Sequence, residues 1–228
     1  MNAPTTSAPT THPEPELERN RPRALTSWAS WVALALVAIW VTLMTRFGNT
    51  DVYAVMGPYA CIVTGVCIAL SPREVLASFS CNVRGVLLGL LVGAVMTALT
   101  YPAFRLAVRF MPGLEAQVAG LYQFASTTSL GKALFWVGTL VVAEEVLFRQ
   151  VLPRALQLWT AERVAFALAV TIYSFAQLGS GSWIIFLLAV VCGTIWAALR
   201  MYTGSITPSL IAHGIWTPTV IVLIPVVG

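Results

Sequence analysis

Apolar residues occur in long blocks along this chain, at roughly 28–45, 52–70, 84–104, 131–153, 163–178, 183–200 and 205–227, separated by short segments rich in charge, Pro or Gly. Crossing the hydrocarbon core of a bilayer takes about 20 residues of helix. The blocks therefore predict about seven membrane helices in one integral domain over 28–228, with its core in 131–228. The fifth block is the shortest. Residues 1–27 are dominated by Pro, Thr, Ala and charge, which predicts a disordered polar tail. The basic cluster Arg19, Arg21 and Arg23 precedes a block of full spanning length with no small-residue cleavage site behind it, so the first helix is expected to stay as an anchor.

The stretch 110–130 is too polar to span. Leu114, Val118, Leu121, Tyr122 and Ala125 nevertheless recur at helical spacing, so a helix resting at the interface and a plain connecting loop are both open. No repeat of fixed period is visible, which argues against inverted-repeat transporters.

Composition agrees with the pattern. The 228 residues are 58% hydrophobic and only 10% charged, which excludes a soluble domain, a coiled coil, a collagen and a secreted disulfide scaffold. With the N-terminus inside, Arg19, Arg21, Arg23, Arg73, Arg84, Arg154, Arg163 and Arg200 face the cytoplasm, against Arg46, Arg105, Arg109 and Lys132 opposite. That bias predicts a cytoplasmic N-terminus in a bacterial inner membrane, and it places the net charge of +4 at a lipid surface rather than on nucleic acid. Trp28, Trp31, Trp40, Trp159, Trp183 and Trp216 fall near block ends and read as interfacial anchors.

The fourth block reads KALFWVGTLVVAEEVLFRQVLPRAL, which puts Glu144, Glu145 and Arg149 inside the hydrocarbon. Each such residue near a helix centre costs about 2.5 to 3.5 kcal/mol on insertion scales, more than a structural ion pair would justify. At i,i+4, Glu145 and Arg149 share a helix face and can pair. Glu144 lies about 100° round and must find its partner on another helix. A carboxyl group kept from bulk water can take a proton from a water molecule and return it to a leaving amine, which is general acid/base chemistry. Two more polar groups lie in apolar blocks. His213, the only histidine outside the tail, stands in TPSLIAHGIWTPT with Thr217 one turn on, and Gln177 closes the fifth block, where a buried amide needs a partner.

These residues resemble a known family. EEVLFR at 144–149 is similar to the EExxxR motif of the CAAX protease and bacteriocin-processing family of glutamic intramembrane endopeptidases. TIYSFAQL at 171–178 is similar to the family's second motif, an aromatic residue followed four positions later by His. TGSITPSLIAHGIW at 203–216 resembles the segment that carries the third, HxxxN or HxxxD. The resemblance covers roughly 131–217 and departs at two positions: Gln177 stands where the second motif has His, and Thr217 where the third has Asn or Asp. It implies an all-α polytopic helix bundle in which Glu144 activates water, Glu145 with Arg149 supports it, and His213 helps stabilise the oxyanion. Gln177 and Thr217 complete the implied site. Gln can position water but cannot shuttle a proton near neutral pH.

Other chemistries fit less well. A zinc peptidase needs HExxH or three good ligands, so neither a metal nor any other cofactor is expected. Ser180, in LGSGSW, reads as part of a Gly/Ser turn rather than a serine nucleophile, and Cys192 with Arg200 and His213 would serve a cysteine mechanism but leave Glu144 unexplained. The implied function is hydrolysis of a membrane-anchored protein or peptide substrate within the lipid bilayer. A catalytically silent scaffold or immunity protein and a transporter are the alternatives.

Overall fold

The computed structural model describes residues 25–47, 52–126 and 128–227, so nearly all of the predicted tail, and its three arginines, lie outside the described residues. Every regular element among them is helical. The chain forms α1 (Ser27–Phe47), α2 (Val52–Leu70), α3 (Pro72–Ser78), α4 (Val83–Phe110), α5 (Leu114–Ser126), α6 (Leu130–Glu144), a π-helical segment (Glu145–Val151), α7 (Leu152–Leu156), α8 (Glu162–Gln177), α9 (Trp183–Thr203) and α10 (Thr207–Pro218), which runs into a second π segment (Thr219–Leu223). All seven apolar blocks become helix, giving an all-α membrane bundle. Four helices, Ser27–Phe47, Tyr53–Leu70, Val83–Phe110 and Trp183–Thr203, are long and apolar enough to cross a bilayer. Of the other three blocks, the fourth carries the internal charges and the fifth and seventh form shorter helices.

Local chemistry sets the boundaries. Asn82 caps α4, its side chain accepting the Gly85 N–H at 2.7 Å. Helix α9 stops at Gly204, whose φ of 69° only glycine adopts cheaply and whose N–H returns to the Arg200 carbonyl. Between 110 and 130 the helical alternative holds. Leu114 and Val118 pack with Ile184, and the Tyr122 hydroxyl donates to the Val220 carbonyl at 2.9 Å, so α5 is tied to the protein as well as to its surroundings.

The packing that matters for the site is α4 against α10. Gly85, Gly89 and Gly93 form a buried stripe on α4. A Cβ at Gly89 would lie 2.7 Å from the Pro208 carbonyl oxygen, and one at Gly93 would lie 3.0 Å from Ala212 Cα. Small residues let backbones approach where lipid supplies no hydrophobic drive between helices. Here they set the depth of α10, the helix that carries His213.

The tryptophans divide. Trp28, Trp31 and Trp159 are exposed, and Trp31 and Trp159 pack edge to face at 5.8 Å. Trp40 and Trp216 are core residues rather than anchors. Trp40 wedges between Tyr59 and Phe148, and Trp216 Nε1 donates to Thr100 Oγ1 at 2.8 Å. Position near a block end misleads for these two because the neighbouring helices cover them.

Candidate active site

The six residues singled out by sequence come from the fourth, fifth and seventh blocks, and the fold gathers them at one place. The backbone widens to a π segment at Glu145, and all seven residues to Val151 are buried. Single-turn π segments recur at functional sites because they re-aim side chains within an otherwise regular helix.

Glu145 is fully buried and takes three partners. The Ser209 hydroxyl donates to Oε2 at 2.6 Å, His213 Nδ1 lies 2.9 Å from Oε1, and Arg149 Nε lies 3.6 Å from Oε1. Arg149, 1% exposed, also spreads its guanidinium over the Tyr173 ring at 4.1 Å and faces Trp196 at 5.3 Å. Two aromatic faces and one carboxylate thus replace the water an arginine loses on burial. Trp196 in turn stacks on His213, with ring centroids 3.6 Å apart and planes 17° from parallel.

Glu144 points the other way and is the more accessible carboxylate, 13% exposed. The Tyr173 hydroxyl donates to its Oε2 at 2.8 Å and the Gln177 amide to its Oε1 at 3.2 Å. As helix geometry requires, these side-chain partners lie on another helix, α8. His213 Nε2 faces Glu144 Oε2 at 3.7 Å, a separation that a small shift or a bridging water closes. With Glu145 ionised, Nδ1 carries the ring proton and Nε2 is turned to the Glu144 side.

Glu144, His213 and Thr217 line a cavity of about 160 Å³ whose remaining wall includes Val137, Leu140, Val141 and Ile221. Thr217 Oγ1 is buried and has no hydrogen-bond partner among the described residues. The site therefore has two layers. Glu144, His213 and Thr217 meet the cavity, while Glu145 and Arg149 lie behind them, and Gln177 reaches the cavity only through Glu144.

Ser180 is buried, its hydroxyl given to the Gln177 carbonyl at 2.7 Å, and Arg200 bonds Gln150 rather than joining Cys192 and His213. Among the described residues no three His, Cys, Asp or Glu side chains come together in a metal-holding geometry. Sequence reasoning missed the Tyr173 hydroxyl, Ser209 and Trp196. Tyr173 was available as the aromatic position four residues before Gln177, but serine and tryptophan in apolar helices carry no mark of their role.

Residues 126–218 match the family model for the Type II CAAX prenyl endopeptidase Rce1-like proteins. Over that segment, about two fifths of its length, the chain is similar to the CAAX protease family. No curated protein and no solved structure matched it. The matched segment runs from the end of α5 to Pro218 and contains all six site residues together with Tyr173, Trp196 and Ser209. Its helices α1 to α4 precede the match, and the glycine stripe of α4 supports it from outside.

Proposed function

We propose that this protein is an intramembrane endopeptidase in which Glu144 activates water to cleave a membrane-anchored protein or peptide. The observation that carries this reading is the setting of Glu144. One carboxylate is held by two donors, faces a histidine, and opens on a cavity with apolar walls.

In the proposed reaction a cavity water gives a proton to Glu144 as its oxygen attacks the scissile carbonyl. Negative charge then develops on the carbonyl oxygen. The free Thr217 hydroxyl is a donor placed to meet it, and His213 Nε2 becomes a second when the ring carries a proton on both nitrogens. Glu144 returns the proton to the departing amine, leaving a new carboxylate and a new amino terminus without a covalent acyl-enzyme. Glu145 holds the imidazole by Nδ1, Arg149 holds Glu145, and Tyr173 and Gln177 hold Glu144. The apolar walls suit an extended segment with aliphatic side chains, and the arginine bias suits an inner membrane with the N-terminus in the cytoplasm.

The test is cleavage of membrane-anchored peptides by purified protein in nanodiscs, with Glu144→Gln abolishing it. A second reading, a catalytically silent member acting as a scaffold, is favoured by one observation: an amide rather than an imidazole approaches Glu144 from position 177. Cleavage by Gln177→His alone, with none by the natural chain, would establish that reading.

A further inference from the structure

At the end of the bundle that holds the start of α1 and the ends of α3, α7 and α9, a second set of buried polar groups takes no part in the active site. Leu25 N–H donates to the Arg154 carbonyl, and Ser205 Oγ to the Ser78 and Ser80 carbonyls, which ties these ends together. Arg154 is paired there, with Ser71 Oγ at 2.7 Å and Glu74 Oε1 at 3.8 Å. Arg200 is different. It is 5% exposed, and its Nη2 and Nε donate at 2.7 and 3.3 Å to Gln150 Oε1, a neutral amide. Gln150, itself 2% exposed, is anchored by its Nε2 to the Glu74 carbonyl at 3.1 Å. No carboxylate among the described residues comes within ion-pair distance of Arg200, and Glu162 acts on it only from farther off.

A buried guanidinium that meets only a neutral amide keeps an uncompensated positive charge, which is costly unless an anion comes to it. The level of the cluster says where such an anion would come from. Exposed Arg73 stands on α3, and exposed Arg84 and Arg163 at the starts of α4 and α8, while the exposed Trp31 and Trp159 pair marks the interfacial zone. Among the described residues at this end, Glu74 and Glu162 are the carboxylates, so five arginines meet two acids. Basic pockets between membrane helices on the cytoplasmic side take up anionic headgroups.

We propose that Arg200, presented by Gln150, is the centre of a phosphate-binding site that takes the headgroup of an anionic phospholipid. Guanidinium and phosphate form charge-assisted, often bidentate hydrogen bonds, which an ammonium in place of Arg200 would not reproduce. Occupancy would clamp α9 to the π segment one residue beyond Arg149, so the site would stabilise the assembly that holds Glu145. Headgroup binding at Arg200 does not require the protein to be an active protease.

The test uses the full chain in nanodiscs of phosphatidylcholine with increasing phosphatidylglycerol, read by thermal unfolding and by native mass spectrometry of retained lipid. Phosphatidylglycerol is expected to raise the unfolding temperature, with retained lipid. Arg200→Gln should weaken retention by about tenfold or more, the equivalent of one charge-assisted hydrogen bond. Because Arg200→Gln also disturbs a buried group, Gln150→Glu is the second variant: an internal carboxylate should neutralise Arg200, keep the fold and abolish the response to phosphatidylglycerol. Inorganic phosphate alone distinguishes the source. No response to it assigns the site to lipid, whereas a response equal to that of the lipid assigns it to free phosphate. Equal lipid response and retention in wild type, Arg200→Gln and Gln150→Glu would overturn the proposal and leave only the general attraction of a basic surface.

Discussion

His213 Nδ1 lies 2.9 Å from Glu145 Oε1 inside the bundle, so the histidine that faces the cavity is oriented by the glutamate that does not. This division of labour explains why two adjacent carboxylates occur where one would satisfy Arg149. Glu145→Ala should leave Arg149 buried without its carboxylate and free the imidazole, at a cost of about 3 to 5 kcal/mol. Thermal unfolding in nanodiscs should show the loss. Glu145→Gln should cost less while still lowering turnover, because an amide can hold the ring but cannot neutralise the arginine.

Gln177 reaches Glu144 at 3.2 Å without being able to titrate. Gln177→Ala should therefore reduce turnover by about 10² or more, the typical loss for one preorganised donor, with little change in unfolding. The pH–rate profile of the natural chain should show no limb from position 177, because an amide does not titrate. Gln177→His should add a limb near the ordinary histidine value of about 6.5. Full activity in Gln177→Ala would make the amide a packing residue.

Much of this site was readable because charge in lipid is expensive. Glu144, Glu145 and Arg149 announced themselves by depth, and Gln177 and His213 by being polar in apolar blocks. Tyr173, Ser209 and Trp196 gave no such signal: each is ordinary in a membrane helix, and its role lies in a hydroxyl direction or a ring plane that only the fold sets. The π segment was likewise invisible, since EVLFRQV has no preference that separates it from α-helix, and i,i+4 spacing already foretold the contact of Glu145 with Arg149. The helix at Leu114–Ser126 was half legible, its spacing correct but its docking on Ile184 and Val220 dependent on residues far along the chain.

Helix α4 should tolerate side chains badly on its glycine face. Gly89→Val would press on the Pro208 backbone and displace α10, costing about 1 to 3 kcal/mol and lowering turnover through His213. Gly65→Ala, on α2 where a Cβ meets nothing within 4 Å, should instead stabilise by about 0.5 to 1 kcal/mol. Comparing the two in one unfolding assay separates close approach from helix propensity.

Glu74, on the connecting helix α3, is held below the usual carboxylate range, first by a hydrogen bond from its own backbone N–H and then by the Ser71 hydroxyl, Arg154 and Arg73, against some opposing desolvation. A lowered folded value means that its contribution is complete above the unfolded value and is lost as pH falls through the folded one. The unfolding temperature should thus drop below about pH 4.3, and Glu74→Gln should remove part of that drop while lowering stability at pH 7.

Glu144 is the residue proposed to perform the hydrolysis. The most direct measurement is mass spectrometry of new peptide termini in membranes incubated with the wild-type protein or with Glu144→Gln, each confirmed folded by its unfolding curve. A set of new termini in membrane-anchored substrates is expected with the wild type and none with Glu144→Gln. The same termini appearing at the same rate with Glu144→Gln would contradict that role.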